Sequence, residues 1–310
     1  MFFNSSRGIF GVDAHKNSKP KIPEMCGAAI PITLLILAGA YATWQQGQAL
    51  VMAAFAMVVG SSALVGALDD KYRMKGVYKP LLMLICGLPL VFLGLLFPGQ
   101  IYNPTLKVPL FGGFHLPVIY PLSIPVAISV TSNTVNMLDP LNGTMAGSVA
   151  IVSGGLLVGL LFRNPEPAII FLLGSLLFSS LGFFYFNRYP SRAFAGNVGQ
   201  LSVGAALGSI AIMGRVEIAA IVAMFPHIQN SFFFLSRIKR FVEHGEVRAK
   251  PTRLLDDGRL ASSEDPQAAL TLVRTMLVGR PASEPDVVNG IFALFALSTG
   301  LAVLTLILMS

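Results

Sequence analysis

The sequence predicts an all-α, polytopic integral membrane protein of about nine transmembrane helices, and three observations carry that expectation. Of the 310 residues, 54% are hydrophobic and only 12% charged, against roughly 25% charged in a soluble globular domain, and the mean hydropathy is +0.70. Nine stretches reach or approach the roughly 17–25 mostly apolar residues that cross a bilayer. With those stretches alternating in direction from an inside N-terminus, 19 of the 22 Lys and Arg fall in inside segments and three in outside ones. Basic residues in short loops mark the cytoplasmic side.

Taken in order, Met1–Met25 is water-facing: it has no apolar core of signal length and carries the charged run from Asp13 to Lys21. The spans follow as Gly27–Trp44, Ala49–Leu68, Pro80–Pro98, Pro117–Leu138, Thr144–Phe162, Ala168–Phe186, Val198–Gly214, Val216–Ser236 and Gly290–Met309. Val198–Gly214 is short and glycine-rich, and Pro117–Leu138 ends in polar residues. The organisation is a single membrane domain over 1–310, with a cytoplasmic loop or lid at 237–289. That loop interleaves Arg237, Lys239, Arg240, Arg248, Lys250, Arg253 and Arg259 with Glu243, Glu246, Asp256 and Asp257. Mixed charge of this kind fits a small folded lid or a solvated surface rather than a nucleic-acid patch, despite the net charge of +7. Cys26 and Cys86 show neither disulfide nor zinc spacing and are expected to pack. His15, His115 and His244 have no partner at metal spacing, whereas His227, inside the eighth span, is ambiguous between a functional and a hydrogen-bonded structural role.

Polar residues collect where the cytoplasmic ends of the spans should lie. Asp69 and Asp70 close the second span, Asn133, Asn136, Asp139 and Asn142 surround the end of the fourth, and Asn187 and Asn197 flank the loop before the seventh. Singly, each suits a helix cap; together at one boundary they point to a site. Adjacent carboxylates repel unless a cation neutralises them, and oxygen ligands of this kind suit Mg²⁺ with substrate phosphates. Lys71, Arg73, Lys75 and Lys79 follow at once and suit phosphate oxygens, although a topology signal alone would also place them there. Asn133, Asn136 and Asp139, three apart, share a helical face if the helix continues that far, and Pro140 and Gly143 end it. Asn amides there can ligate a metal or pair with a nucleobase edge. Phe194-Ala195-Gly196-Asn197-Val198-Gly199 sets an aromatic face beside glycines that allow close approach. A transporter is the competing class, but transporters gather polar groups near the midplane rather than at one surface.

Ile22-Pro23-Glu24, Leu68-Asp69-Asp70, Asn136 through Gly143, and above all Phe186-Asn187-Arg188-Tyr189-Pro190-Ser191-Arg192-Ala193-Phe194-Ala195-Gly196 resemble the polyprenyl-phosphate N-acetylhexosamine-1-phosphate transferases. The last motif and Ile22-Pro23-Glu24 are most similar to the UDP-GlcNAc–dolichyl-phosphate GlcNAc-1-phosphate transferase branch. The resemblance implies transfer of GlcNAc-1-phosphate from UDP-GlcNAc to a polyprenyl or dolichyl phosphate with release of UMP. It implies Mg²⁺, with Mn²⁺ as the alternative, an association into a homodimer, and a site facing the cytoplasm. The membrane would be the plasma membrane of a prokaryote or the endoplasmic reticulum of a eukaryote. It assigns catalytic roles to Asp69, Asp70 and Lys79, metal ligation to Asn136 and Asn197, and substrate binding to Glu24, Asn142, Phe194, Arg248, Lys250 and Arg253. Two departures stand out. The family has Gly-Asp where this chain has Gly196-Asn197, which removes one charge from the metal site and leaves a disabled, nucleotide-sugar-binding form as an alternative. Family members usually have ten spans and begin outside, whereas nine are expected here.

Overall fold

The structure is a computed structural model describing residues 10–238 and 249–309. Among them the helices are α1 (Ala29–Trp44), α2 (Ala49–Tyr72), α3 (Tyr78–Cys86), α4 (Leu88–Leu96), α5 (Ile119–Met137), α6 (Thr144–Leu160), α7 (Pro167–Asn187), α8 (Gly196–Met213), α9 (Glu217–Ala223), α10 (Phe225–Ile238), α11 (Leu272–Met276) and α12 (Glu284–Leu308). Three antiparallel hairpins cover the ends: β1 (Phe10–Val12) with β2 (Lys21–Pro23), β3 (Thr105–Val108) with β4 (Gly112–His115), and β5 (Thr252–Leu254) with β6 (Leu260–Ser262). The protein is therefore a helical bundle with small β caps, and it is an integral membrane protein. Six of the described helical stretches are long and apolar enough to cross a bilayer, and a seventh is added if the bent pair α9–α10 counts as one span.

Each of the nine expected spans coincides with a helical segment, yet two fall short of a crossing on length or composition. The α6 helix has 17 residues, and α5 carries Ser129, Ser132, Asn133 and Asn136. Both lean on protein: the α6 residues Thr144 through Ala150 are all buried, as are Ser129 and Ser132 of α5. The short, glycine-rich span proves to be the centre of the bundle. Along α8, Gly199, Ser202, Gly204, Ala205, Ala206, Gly208 and Ser209 are buried, and small residues let backbones approach where lipid supplies no hydrophobic drive between helices. A β-carbon on Gly66 of α2 would collide with the Asn197 carbonyl, so α2 and α8 touch backbone to backbone. Large apolar side chains such as Ile36, Phe92, Leu122 and Leu297 instead face outward, as contact with acyl chains demands.

Three expectations need correction. The eighth span is not one helix: α9 and α10 meet at 66°, because Pro226 has no N–H to bond the Val222 carbonyl, which instead accepts the Ser298 hydroxyl proton. The last helix begins at Glu284 rather than Gly290; its first turn is polar and escapes a hydropathy criterion, but Ser283 caps it by accepting the Asp286 N–H at 3.3 Å. Helix α5 ends at Met137, so Asp139 lies beyond the helical face that Asn133 and Asn136 occupy. In the loop before α12, residues 249–283 pack rather than trail: Leu260, Leu272 and Val273 are buried, and the Leu272 N–H donates to Asn230 Oδ1 of α10 at 2.9 Å.

Candidate active site at one end of the bundle

The site forms where the C-terminal ends of α2, α5 and α7 meet the N-terminal ends of α3, α6 and α8. Sequence adjacency sends Asp69 and Asp70 in different directions. Asp69 is buried and its Oδ2 pairs with the Lys79 ammonium at 2.7 Å, while Oδ1 accepts the Met74 N–H at 2.8 Å. The cation that relieves the carboxylate pair is thus Lys79 itself. Asp70 turns to the start of α8, where none of that helix's own side chains cap it. Its Oδ1 accepts the Asn197 backbone N–H at 2.8 Å and the Asn197 side-chain N–H at 2.9 Å, and Oδ2 accepts the Val198 N–H at 3.0 Å. Asp70 therefore caps α8 from another helix, where orphan N–H groups and the helix dipole favour an anion. Gly196, at φ +68, makes the approach feasible, since a β-carbon there would lie 2.7 Å from Asp70 Oδ2.

Asn197 joins the two halves. Its Oδ1 accepts from Lys79 Nζ at 3.3 Å and from Asn136 Nδ2 at 2.6 Å. Asn136 also donates to Gln200 Oε1, and Gln200 Nε2 donates to Asp139 Oδ2 at 2.7 Å. Gln200 thereby reconnects Asp139 to Asn136 after the helix has ended. It lies three residues past Asn197 and so on the same helical face, a spacing visible in the sequence.

Glu24 is brought in by backbone pairing. Phe194 N–H donates to the Pro23 carbonyl at 2.9 Å, and the Cys26 and Gly27 N–H groups donate to the Phe194 and Ala195 carbonyls at 3.0 Å each. The two motifs that are 170 residues apart in the chain are thus one strand-like pair, with Glu24 beside Phe194. Burial first, and the Asp70 carboxylate second, push the Glu24 carboxyl above its ordinary value.

Next to it lies a pocket of about 190 Å³ lined by Asp13, His15, Asp139, Asn142, Asn187 and Phe194 among others. Asn142 is buried; its side chain donates to Asp13 Oδ2 at 3.0 Å and its backbone N–H to Glu284 Oε1 at 2.8 Å. Lys16 bridges Asp13 and Glu284. Asn187 Oδ1 accepts the Gly143 N–H at 3.1 Å, which ties the α7 end to the α6 start. No signal in the sequence joins Asp13, Lys16 and Glu284. His15, expected to be ordinary, faces this pocket, and burial pushes its pKa down.

The basic motif is only partly assembled. Arg248 lies outside the described residues. Arg253 sits on β5 in an exposed ion pair with Glu264 at 2.7 Å, and Lys250 is exposed just before that strand; neither lines the pocket. His227 is buried, with Nε2 3.1 Å from the Ser148 hydroxyl and the ring edge-on to Phe295, while its Nδ1 has no partner among the described residues.

Desolvation pushes the Asp139 carboxyl up to about 7, opposed by the Gln200 and Met145 N–H groups. Because this lies above its ordinary 3.8, the protonated form is the one the fold favours. That stabilisation is complete below about pH 4 and is lost as pH rises through about 7. The Tm is accordingly expected to fall between about pH 5 and about pH 8, and Asp139→Asn to flatten the dependence; an unchanged slope in the variant would remove Asp139 as its source.

The donor set near Asp70 is oxygen-only. Among the described residues no group of three or more His, Cys, Asp or Glu could cage a metal. Mg²⁺ does not require such a cage, since it usually takes one or two carboxylates, with water and substrate phosphates completing its shell. Asp70 with the amides of Asn136 and Asn197 fits that requirement.

Fold and site together define an integral membrane protein whose polar groups converge at one end of its helices, beside a pocket with an aromatic wall. Residues 49–215 match Glycosyl transferase family 4, and the chain belongs to that family. The match runs from α2 to just past α8. A protein of Methanocaldococcus jannaschii provisionally named a glycosyltransferase is 30% identical over 284 residues, covering 90% of this chain and 82% of its own. One of Saccharolobus solfataricus, provisionally named a UDP-N-acetylglucosamine–dolichyl-phosphate N-acetylglucosaminephosphotransferase, is 28% identical over 86% of this chain and 79% of its own. The phospho-N-acetylmuramoyl-pentapeptide-transferase of Pelobacter propionicus is 34% identical over 40% of this chain and 39% of its own. The resemblance read from the motifs is borne out.

Proposed function

We propose that the protein transfers GlcNAc-1-phosphate from UDP-GlcNAc to a polyprenyl phosphate of the dolichyl type, releasing UMP, as the first committed step in building lipid-linked oligosaccharides for N-glycosylation. The observation that carries this reading is the continuous network Asp69–Lys79–Asn197–Asp70, with Asn136, opening beside the pocket of Phe194 and Asn142. In the reaction an oxygen of the lipid phosphate attacks the β-phosphorus; the bond from that phosphorus to the bridging oxygen breaks, and UMP leaves with that oxygen. No protein nucleophile is needed, so positioning and charge supply the acceleration. Lys79, held by Asp69, presents its ammonium to the diphosphate. Asp70 fixes the start of α8 and so the place of Asn197. Mg²⁺, held by Asn136 and Asn197 beside Asp70, would neutralise diphosphate charge when bound. Phe194 offers a face on which uracil stacks, with Asn142 at the pocket wall. The acceptor lipid is supplied by the bilayer itself. The excess of Lys and Arg in the loops at this end supports a site that faces the cytoplasm.

Phe194→Ala is expected to raise the KM for UDP-GlcNAc about tenfold at nearly unchanged kcat, since stacking on a base contributes about 1–3 kcal/mol. Phe194→Tyr should keep both; equal losses in the two variants would place uracil elsewhere. The overall test is UMP release from UDP-GlcNAc with a polyprenyl phosphate and Mg²⁺ in detergent. Silence from a folded sample that does not bind UDP-GlcNAc would overturn the proposal. A second reading, a protein that binds nucleotide sugar without turning it over, is favoured by one observation: the neutral Asn197 amide already bridges Asp70, Lys79 and Asn136. Binding without UMP release would select it.

A further inference from the structure

At the opposite end of the same helices lies a second polar pocket, of about 200 Å³, that the transfer reaction does not use. It is walled by the end of α6, the start of α7 and the end of α8, so the length of α8, 18 residues, puts it about 27 Å from Asn197. The loops at that end contain only three Lys or Arg: Lys107, Arg163 and Arg215. They are 108 residues apart from first to last, yet all three line this one pocket. Among the described residues none of their side chains makes an ion pair or a hydrogen bond to a side chain, and Arg163 Nη1 is shut off from solvent with no partner. Burial pulls the Arg163 pKa below its ordinary value, with Glu217 opposing, as a guanidinium without a bound counter-group should behave.

Two carboxylates belong to the same neighbourhood. Glu166 lines the pocket and is exposed. Glu217 accepts the Tyr120 hydroxyl proton on Oε1, while its Oε2 is buried and unpaired. Three cations against two carboxylates leave one positive charge uncompensated. A guanidinium pair with a lysine is suited to the planar and tetrahedral oxygens of an oxyanion. Leu161 and Phe162, next to Arg163 in sequence, are exposed apolar residues, so the pocket borders the lipid-facing surface.

We propose that Lys107, Arg163 and Arg215 form a binding site for a singly charged phosphate oxyanion on the face opposite the candidate active site. A lipid phosphodiester and the monoanion of free phosphate both have the matching single charge, so the source is either an anionic lipid headgroup at that leaflet or a free phosphate. The site stands independently of the transfer reaction.

The test uses the full chain in detergent and in nanodiscs, with phosphatidylglycerol and inorganic phosphate as separate probes. Native mass spectrometry counts retained phosphatidylglycerol, and calorimetry follows phosphate. Arg163→Gln with Arg215→Gln is expected to weaken binding of the preferred probe at least about tenfold, whereas Arg163→Lys with Arg215→Lys retains much of it, because each charge-assisted hydrogen bond lost corresponds to about that factor. Retention of phosphatidylglycerol over phosphatidylcholine assigns the lipid source; phosphate binding without lipid retention assigns the soluble one. If the double Gln variant does not fold, Lys107→Gln, on an exposed hairpin residue, carries the comparison. Neither probe binding to the folded protein, or affinities unchanged in the folded variants, would overturn the proposal. UDP-GlcNAc binding at the far end should be unaffected throughout.

Discussion

Asp70→Ala is expected to abolish UMP release and, in the same protein, to loosen the start of α8. Three N–H donors lose their acceptor in that variant: the backbone and side chain of Asn197 and the backbone of Val198. Leaving a partly buried donor unsatisfied costs about 1–3 kcal/mol, so the alanine variant alone would confuse a catalytic with a structural loss. Asp70→Asn separates them. It retains an acceptor oxygen and the side-chain volume but removes the charge. If the carboxylate acts on the reacting groups, the Asn variant should keep the Tm within a few degrees and still lose about a hundred- to a thousandfold in turnover, the scale seen when one preorganised electrostatic group is removed. Amide hydrogen exchange at 196–200 reports the α8 start, and UMP release reports the chemistry. Full turnover in Asp70→Asn would show that Asp70 only holds the helix end, and the proposed site would lose its central residue.

Asn197→Asp is expected to make the protein depend on Mg²⁺. In the present chain the Asn197 amide donates to Asp70 and accepts from Lys79 and Asn136, acting as a neutral bridge between a carboxylate and an ammonium. A carboxylate in its place cannot donate to Asp70 and sets two negative charges within about 3 Å, a repulsion that a bound cation or a shared proton relieves. Without divalent cation the variant should therefore melt several degrees lower than the parent. Titrating Mg²⁺ should restore its Tm, since a ligand that binds only the folded state stabilises it by mass action. The same variant should bind Mg²⁺ at least about tenfold more tightly and, if the parent is a weak enzyme, release UMP faster at low Mg²⁺. Equal Mg²⁺ response in both proteins would remove position 197 from the metal site.

The transmembrane architecture was largely legible because hydropathy and charge are additive along the chain. Every expected span has a helical counterpart, and the discrepancies occur where local composition misrepresents the surroundings. Val198–Gly214 looks weak because its residues are small, and it is the central helix for the same reason. Glu284 and Asp286 hide the first turn of α12 because a cap is polar. The bend between α9 and α10 was signalled by Pro226, but that Ser298 of another helix takes over the freed Val222 carbonyl was not. The small hairpins, each of three- or four-residue strands, are too short for periodicity to register.

For the site, the residue types were visible and the partnerships were not. Paired aspartates, clustered asparagines and a following lysine mark a polar membrane boundary on chemistry alone, and with the flanking motifs they define the family. Which carboxylate meets the lysine and which caps α8 depends on the azimuth of α2 against α3 and α8, settled by packing at Gly66 and Gly196. The Asp13–Lys16–Glu284 cluster unites residues up to 271 positions apart, a contact with no local signature. Hydropathy, the charge asymmetry of the loops and the inventory of chemical groups belong to the sequence, because each is a property of short segments in contact with lipid or water. The convergence of six helix ends on one network, and of three lone cations on a pocket at the other end, belongs to the tertiary structure, because only helix packing sets which distant side chains share a low-dielectric space.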